Sequence, residues 1–184
     1  MTSQTISNSI TVGFFAVSWS SALAVWDVKH RRLPNALTLG GAAAALVWRL
    51  GYGGPGLFVD GFLAGVIAGA FMLVPFAVKG AGGGDVKMLF AGGAIVGLHS
   101  ILLFLWFSSL AGLLVGIVMI VCGRLDASRT KHYVRCVIDW RYDRERGRAA
   151  LPPKESERTR IPFGLAIAIG LLVTLALDHG MKAL

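Results

Sequence analysis

The sequence predicts an all-α integral membrane protein of six transmembrane helices, with both termini outside and a cytoplasmic loop between helices five and six. Three observations carry this. Of the 184 residues, 55% are apolar and only 15% charged, for a mean hydropathy of +0.67; a soluble domain cannot hide that much apolar surface. The apolar residues form long uncharged runs, and about 20 such residues cross the roughly 30 Å hydrocarbon layer as a helix. The basic residues gather in alternate loops. Disorder needs low hydrophobicity and collagen a strict glycine period, so both are excluded. The chain reads as a single domain, 1–184.

The first span is 9–26, the second 36–50 and the third 57–78. Residues 88–122 carry no charge; as one helix they would be about 52 Å long, too long for one crossing. Splitting them near Gly97, His99 and Ser100 gives a short fourth span and a full fifth, and the sixth is 161–177. Gly61, Gly65 and Gly69 in span three, and Gly112 with Gly116 in span five, recur every four residues. Small residues at that spacing let helix backbones approach closely in lipid, and no chemistry is assigned to them.

Lys29, Arg31, Arg32, Lys79, Lys87 and the eleven basic residues of 124–160 fall on one side of these spans, and only Arg49 and Lys182 on the other. The positive-inside rule places the first set in the cytoplasm. The formal charge of +8 is therefore an orientation signal rather than one for nucleic acid. Residues 1–9 hold no basic residue and the positive charges follow the apolar run, the pattern of a retained first span. Cys122 and Cys136 lie at or inside the cytoplasmic face without a C-x-x-C pair, so neither a disulfide nor zinc is expected. Were the short second span not to cross, the loops around Asp27 and Asp85 would lie on opposite sides.

Six of the ten acidic residues belong to 124–160, where solvated charge is the ordinary explanation. Asp60 and Asp178 fall toward the outer face, where a carboxylate reaches water cheaply, and read as interface residues. Asp27 ends span one and Asp85 precedes span four, so both are expected at the cytoplasmic membrane edge. Ionisable groups at membrane depth are costly and mark function, although such aspartates also serve structure. Two carboxyls held close share one proton. The ionised member takes a proton from water while the protonated one polarises a scissile carbonyl, chemistry that needs no metal or cofactor.

Asp85 lies in Gly80-Ala81-Gly82-Gly83-Gly84-Asp85-Val86-Lys87, where glycine permits backbone conformations closed to other residues and a bare backbone admits an extended peptide; the plain alternative is a flexible inter-helix loop. Asp27 opens Asp27-Val28-Lys29-His30-Arg31-Arg32-Leu33-Pro34-Asn35, in which Asn35 is placed to cap span two.

At these residues the chain resembles the type IV prepilin leader peptidases, membrane aspartyl proteases with a G-x-G-D motif. Gly82-Gly83-Gly84-Asp85 followed by Lys87 matches that motif, and Asp27 with its basic tract ending in Pro34-Asn35 matches the other signature. Ile161-Pro162-Phe163-Gly164 resembles the start of the family's last span. The resemblance implies that Asp27 and Asp85 are the catalytic pair, with Gly82, Gly84, Lys87, Pro34, Asn35, Pro162 and Gly164 in support. It implies a prepilin-like protein substrate whose short basic leader is cut at the cytoplasmic end of an apolar helix, in a bacterial inner membrane. Larger relatives carry an insert with paired cysteines and methylate the new N-terminus; without that insert, methyltransferase activity is not expected, and the chain is similar to the compact peptidases of tight-adherence (Flp-type) pili. Gly83 stands where some relatives have an aromatic.

The expected partners are the substrate and the lipid bilayer, with no nucleic acid, and a homo-oligomer is left open. In 124–160, Tyr133, Val134, Val137, Ile138 and Trp140 are spaced to line one face of a surface-lying amphipathic helix; a solvated loop ending in Pro152-Pro153 fits equally. With Asp27 and Asp85, the helix dipole favours charge on Asp85 near the start of span four, which points to Asp85 as the base. The competing reading is a small transporter or pilus-assembly subunit with non-proteolytic aspartates. Transport sites lie near the bilayer midplane, whereas Asp27 and Asp85 fall at its edge. A presenilin-type protease is a third reading, which the Asp27 tract opposes.

Overall fold

The computed structural model describes residues 3–30, 33–77, 81–122 and 162–183. Among them are five helices and no strand: α1 (Ser3–His30), α2 (Asn35–Ala77), α3 (Gly83–Val96), α4 (Ile101–Val121) and α5 (Phe163–Ala183). The described residues up to Leu113, with those from Pro162 onward, make one unit; 114–122 belong to a second. The expected loop 124–160 with Cys136, and Arg31, Arg32, Lys79 and Gly80, lie outside the described residues. Thr11–His30, Asn35–Leu73 and Ile101–Val121 are long and apolar enough to cross a bilayer, and Phe163–Asp178 is a shorter apolar helix.

The 43-residue α2 runs through the gap expected between the second and third spans. It is broken there, at Gly54, whose φ of 70° and ψ of −165° are not helical. Such a φ is open to glycine and strained for other residues, and Pro55 follows, suited to start a helix because it has no amide to satisfy. Arg49 and Asp60 bridge the break: Arg49 Nη1 lies 2.7 Å from Asp60 Oδ2 and also donates to the Leu57 carbonyl at 3.3 Å.

The uncharged 88–122 stretch is likewise divided where expected. Gly97, at φ 80°, ends α3, its amide donating to the Gly93 carbonyl at 2.9 Å. The Arg49–Asp60 pair serves this break too. Arg49 Nη2 donates to the Ile95 carbonyl at 3.1 Å and Asp60 accepts the Leu98 amide at 3.3 Å. One ion pair thus answers backbone groups that a helix end leaves without an intrahelical partner.

The helices meet through small residues. A Cβ built on Gly93 would fall 2.6 Å from the Ala64 carbonyl oxygen, and one on Gly65 would fall 2.9 Å from that of Phe90. These contacts bring α2 and α3 to backbone range, the packing role expected for Gly65 in its four-residue series. Phe104 of α4 lies over Gly92 of α3, and Phe163 of α5 over Gly112 of α4. Gly170 of α5 faces Ser108 of α4, whose hydroxyl is buried with no hydrogen-bond partner among the described residues. Trp19 of α1 lies on Gly41 and donates its indole N–H to the Leu37 carbonyl at 2.8 Å. Large side chains such as Phe14, Leu102 and Trp106 point outward, the distribution that lipid rather than water permits.

Asp178 departs from expectation. Instead of reaching water it is buried, at 9% exposure, and accepts the Ser100 hydroxyl at 2.7 Å. The turn between α3 and α4 supplies the donor that makes this burial tolerable. Asp60, half-buried in its pair with Arg49, is a helix-junction residue.

Candidate active site

Asp27 sits in the last turn of α1, 6% exposed. A buried carboxylate must be hydrogen-bonded, and one donor comes from the far end of the sequence: the Gly164 amide reaches Asp27 Oδ2 at 2.9 Å across 137 residues. Pro162 precedes α5 and accepts the Leu165 amide at 3.2 Å. Gly164 is thus the second residue of α5, and its amide is among those that a helix start leaves unpaired within the helix. The approach is close enough to exclude a side chain, because a Cβ on Gly164 would lie 2.8 Å from Asp27 Oδ2.

Asp85 is the third residue of α3. Its Oδ2 accepts the Gly82 amide at 2.9 Å while its own amide donates to the Gly82 carbonyl at 3.1 Å, a reciprocal closure of the helix start. The glycines around it serve space rather than unusual torsion. Gly82 has ordinary extended angles, φ −89° and ψ 152°, and Gly83 and Gly84 are helical. The expectation that this tract exploits conformations closed to other residues is therefore corrected for 82–84. A Cβ on Gly84 would fall 2.9 Å from that of Leu33, whereas Gly83 is open apart from Phe76 at 3.6 Å.

Leu33 immediately precedes Pro34-Asn35, so the Gly84 contact joins the first signature to the second. A hydrogen bond joins them again, from Lys87 Nζ to Asn35 Oδ1 at 2.8 Å. Asn35 was expected to cap α2; its oxygen instead receives Lys87, and the Pro34 carbonyl accepts the Leu37 and Thr38 amides, both at 3.1 Å. The 33–35 segment that follows Asp27 in sequence and the start of α3 that carries Asp85 therefore meet. Sequence reasoning assigned Leu33 no role, since apolar character carries no signal, and named Gly164 as a supporting residue without a task for its amide, because a backbone donor has no residue-type signature.

The helix-dipole contrast between the two aspartates is smaller in this geometry. Asp27 ends α1, but its carboxylate also accepts an amide at the start of α5, so both aspartates lie against helix N-termini. Among the described residues no three His, Cys, Asp or Glu side chains gather as metal ligands would.

Comparison with known families gives one match. Residues 14–117 match the type IV leader peptidase family, more than half of the chain, and include both aspartates and the first two signatures. The chain belongs to that family. Membership carries aspartic-type peptidase activity, prepilin-like substrates and a membrane setting at the level of the family, and with its long apolar helices the chain is an integral membrane protein. No curated protein and no solved structure matches it.

Proposed function

We propose that this protein is a membrane aspartic endopeptidase that removes the short basic leader of prepilin-like proteins at the cytoplasmic face of a bacterial inner membrane. Asp27 and Asp85 are its catalytic pair. One carboxylate takes a proton from water as the oxygen attacks the scissile carbonyl. The other, protonated, donates to that carbonyl oxygen, and the proton first taken passes to the departing amine. The reading includes six spans with both termini outside, and a compact peptidase of the tight-adherence pilus type.

The observation that carries it is the meeting of three sequence blocks that lie far apart in the chain. Gly164 donates to Asp27, Lys87 donates to Asn35, and Gly84 lies against Leu33. A motif match alone does not require those contacts.

The test is co-expression with a tagged prepilin, with leader removal followed on a gel and scaled to the amount of membrane-inserted enzyme. Asp27→Ala and Asp85→Ala are each expected to stop processing, whereas Asp60→Ala and Asp178→Ala retain it per inserted molecule. Processing that persists in either of the first two ends the assignment. Ion flux in vesicles lost with those two substitutions, with no substrate cut, supports transport instead.

A further inference from the structure

Each candidate catalytic carboxylate receives a backbone amide from a glycine, but the two arrangements differ. Gly82 and Asp85 belong to one helix start, three residues apart. Asp27 depends on Gly164 in the first turn of α5, 137 residues later, so its geometry is set by how α5 packs against α1. The contact is buried, Asp27 at 6% exposure and Gly164 also buried. A Cβ on Gly164 would meet three Asp27 atoms: Oδ2 at 2.8 Å, Cγ at 3.1 Å and Cβ at 3.2 Å. The glycine therefore presents its amide at a range that no other residue type can match without moving the carboxylate.

We propose that Gly164 is a positioning residue for Asp27, its amide fixing the carboxylate orientation from which the acid–base chemistry proceeds. The inference rests on the peptidase reading of Asp27 and Asp85, and gives the third sequence block a stated task. Asp27 Oδ2 is tethered by the amide, so rotation of the carboxyl about its Cβ–Cγ bond breaks that hydrogen bond. Misplacement of a catalytic group by about 1 Å costs about a hundredfold in rate. The burden falls on the chemical step, because Gly164 acts through Asp27 rather than on the substrate.

The experiment uses the full-length protein reconstituted in lipid, with a fluorescent prepilin, and reads kcat and KM separately. Two changes at Gly164 bracket the effect. Gly164→Ala adds the intruding Cβ. Replacement of Gly164 by glycolic acid exchanges the N–H for an ester oxygen without adding volume, and costs no intrahelical bond because a first-turn amide has none. Both are expected to lower kcat by about tenfold to a hundredfold per folded molecule with KM within about twofold, and the ester protein is expected to melt at a somewhat lower temperature because a buried carboxylate loses a donor. Gly40→Ala, on an open face of α2 with nothing within 4 Å, is expected to process like the unaltered protein.

Unchanged kcat in the ester protein overturns the proposal, as does an equal loss in Gly40→Ala or a defect confined to KM. If Gly164→Ala does not accumulate, the ester protein decides alone. Activity remaining in Asp27→Ala defeats the peptidase reading itself, whereas an inactive Asp27→Ala beside a fully active ester protein defeats only the role of Gly164.

Discussion

Lys87 Nζ donates to Asn35 Oδ1 at 2.8 Å across 52 residues of sequence. The bond ties the fifth residue of α3 to the first residue of α2, and so holds the two signature segments together. A hydrogen bond with one charged partner contributes about 1.5–3 kcal/mol when shielded and less near solvent. Asn35 is exposed and Lys87 only partly buried, so a coupling of about 1 kcal/mol is expected. A double-mutant cycle of Lys87→Met and Asn35→Ala, measured by unfolding in mixed micelles, checks it; strictly additive losses would show that the contact carries no energy.

Leu33 and Gly84 provide a geometric test of the same junction. Their built separation of 2.9 Å must widen toward the roughly 3.8 Å that a disulfide needs between Cβ atoms, but it places the two positions within bridging range. The pair Leu33→Cys and Gly84→Cys, in a background with Cys122 and Cys136 changed to Ser, is expected to lose maleimide labelling on mild oxidation. A pair at Leu33→Cys and Gly40→Cys is expected to keep it. Gly84→Ala alone should destabilise by about 1–3 kcal/mol through overpacking.

The Arg49–Asp60 pair predicts a stability phenotype at the opposite end of α3. Arg49→Ala leaves a half-buried carboxylate and the Ile95 carbonyl without this donor, for an expected loss of about 1–3 kcal/mol. Combining it with Asp60→Ala is expected to cost less than the two single losses together. Leader removal per folded molecule should be unchanged. A specific loss of kcat in Arg49→Ala would mean that this pair reaches the chemistry.

Ser108 makes an unusual forecast. Its hydroxyl is buried without a partner among the described residues, so Ser108→Ala removes an unsatisfied group and is expected to be neutral or stabilising by up to about 1 kcal/mol. Gly170→Ala puts a methyl onto the same hydroxyl and is expected to destabilise by about 1–3 kcal/mol. Thermal melts of the two proteins in one lipid decide the matter, and a clear loss in Ser108→Ala would reveal a bond made by that hydroxyl.

The all-helical fold and the positions of its breaks were legible because lipid imposes a local rule. An uncharged run is helical because its backbone groups must pair within the segment, and a run longer than one crossing must be broken somewhere along it. Gly97 obeys this, and Gly54 falls between the two runs read as spans two and three. Asp27 and Asp85 were singled out as the candidate pair because carboxylates are rare at membrane depth and these two sit in recognisable blocks.

The fate of Asp178 was not legible. Whether a carboxylate at a helix end faces water or a neighbour depends on Ser100, 78 residues away, and on packing that spacing does not encode. For Gly82 and Gly84 composition was a misleading guide. It pointed to unusual torsions, while the structure shows glycine used for close approach, which in a sequence looks the same.

The outward placement of Phe14, Leu102 and Trp106, set against an interior where glycine and alanine mediate the helix contacts, bears on how this protein behaves outside its native surroundings. Aqueous collapse is of little help to helices whose bulkiest groups already prefer acyl chains to one another. Cohesion rests on short-range fit and on a few polar links, which detergent molecules can wedge open one seam at a time. Gradual loosening as lipid is stripped away, with the Asp27–Gly164 link surviving only while α1 and α5 remain in register, is the expected course of its inactivation.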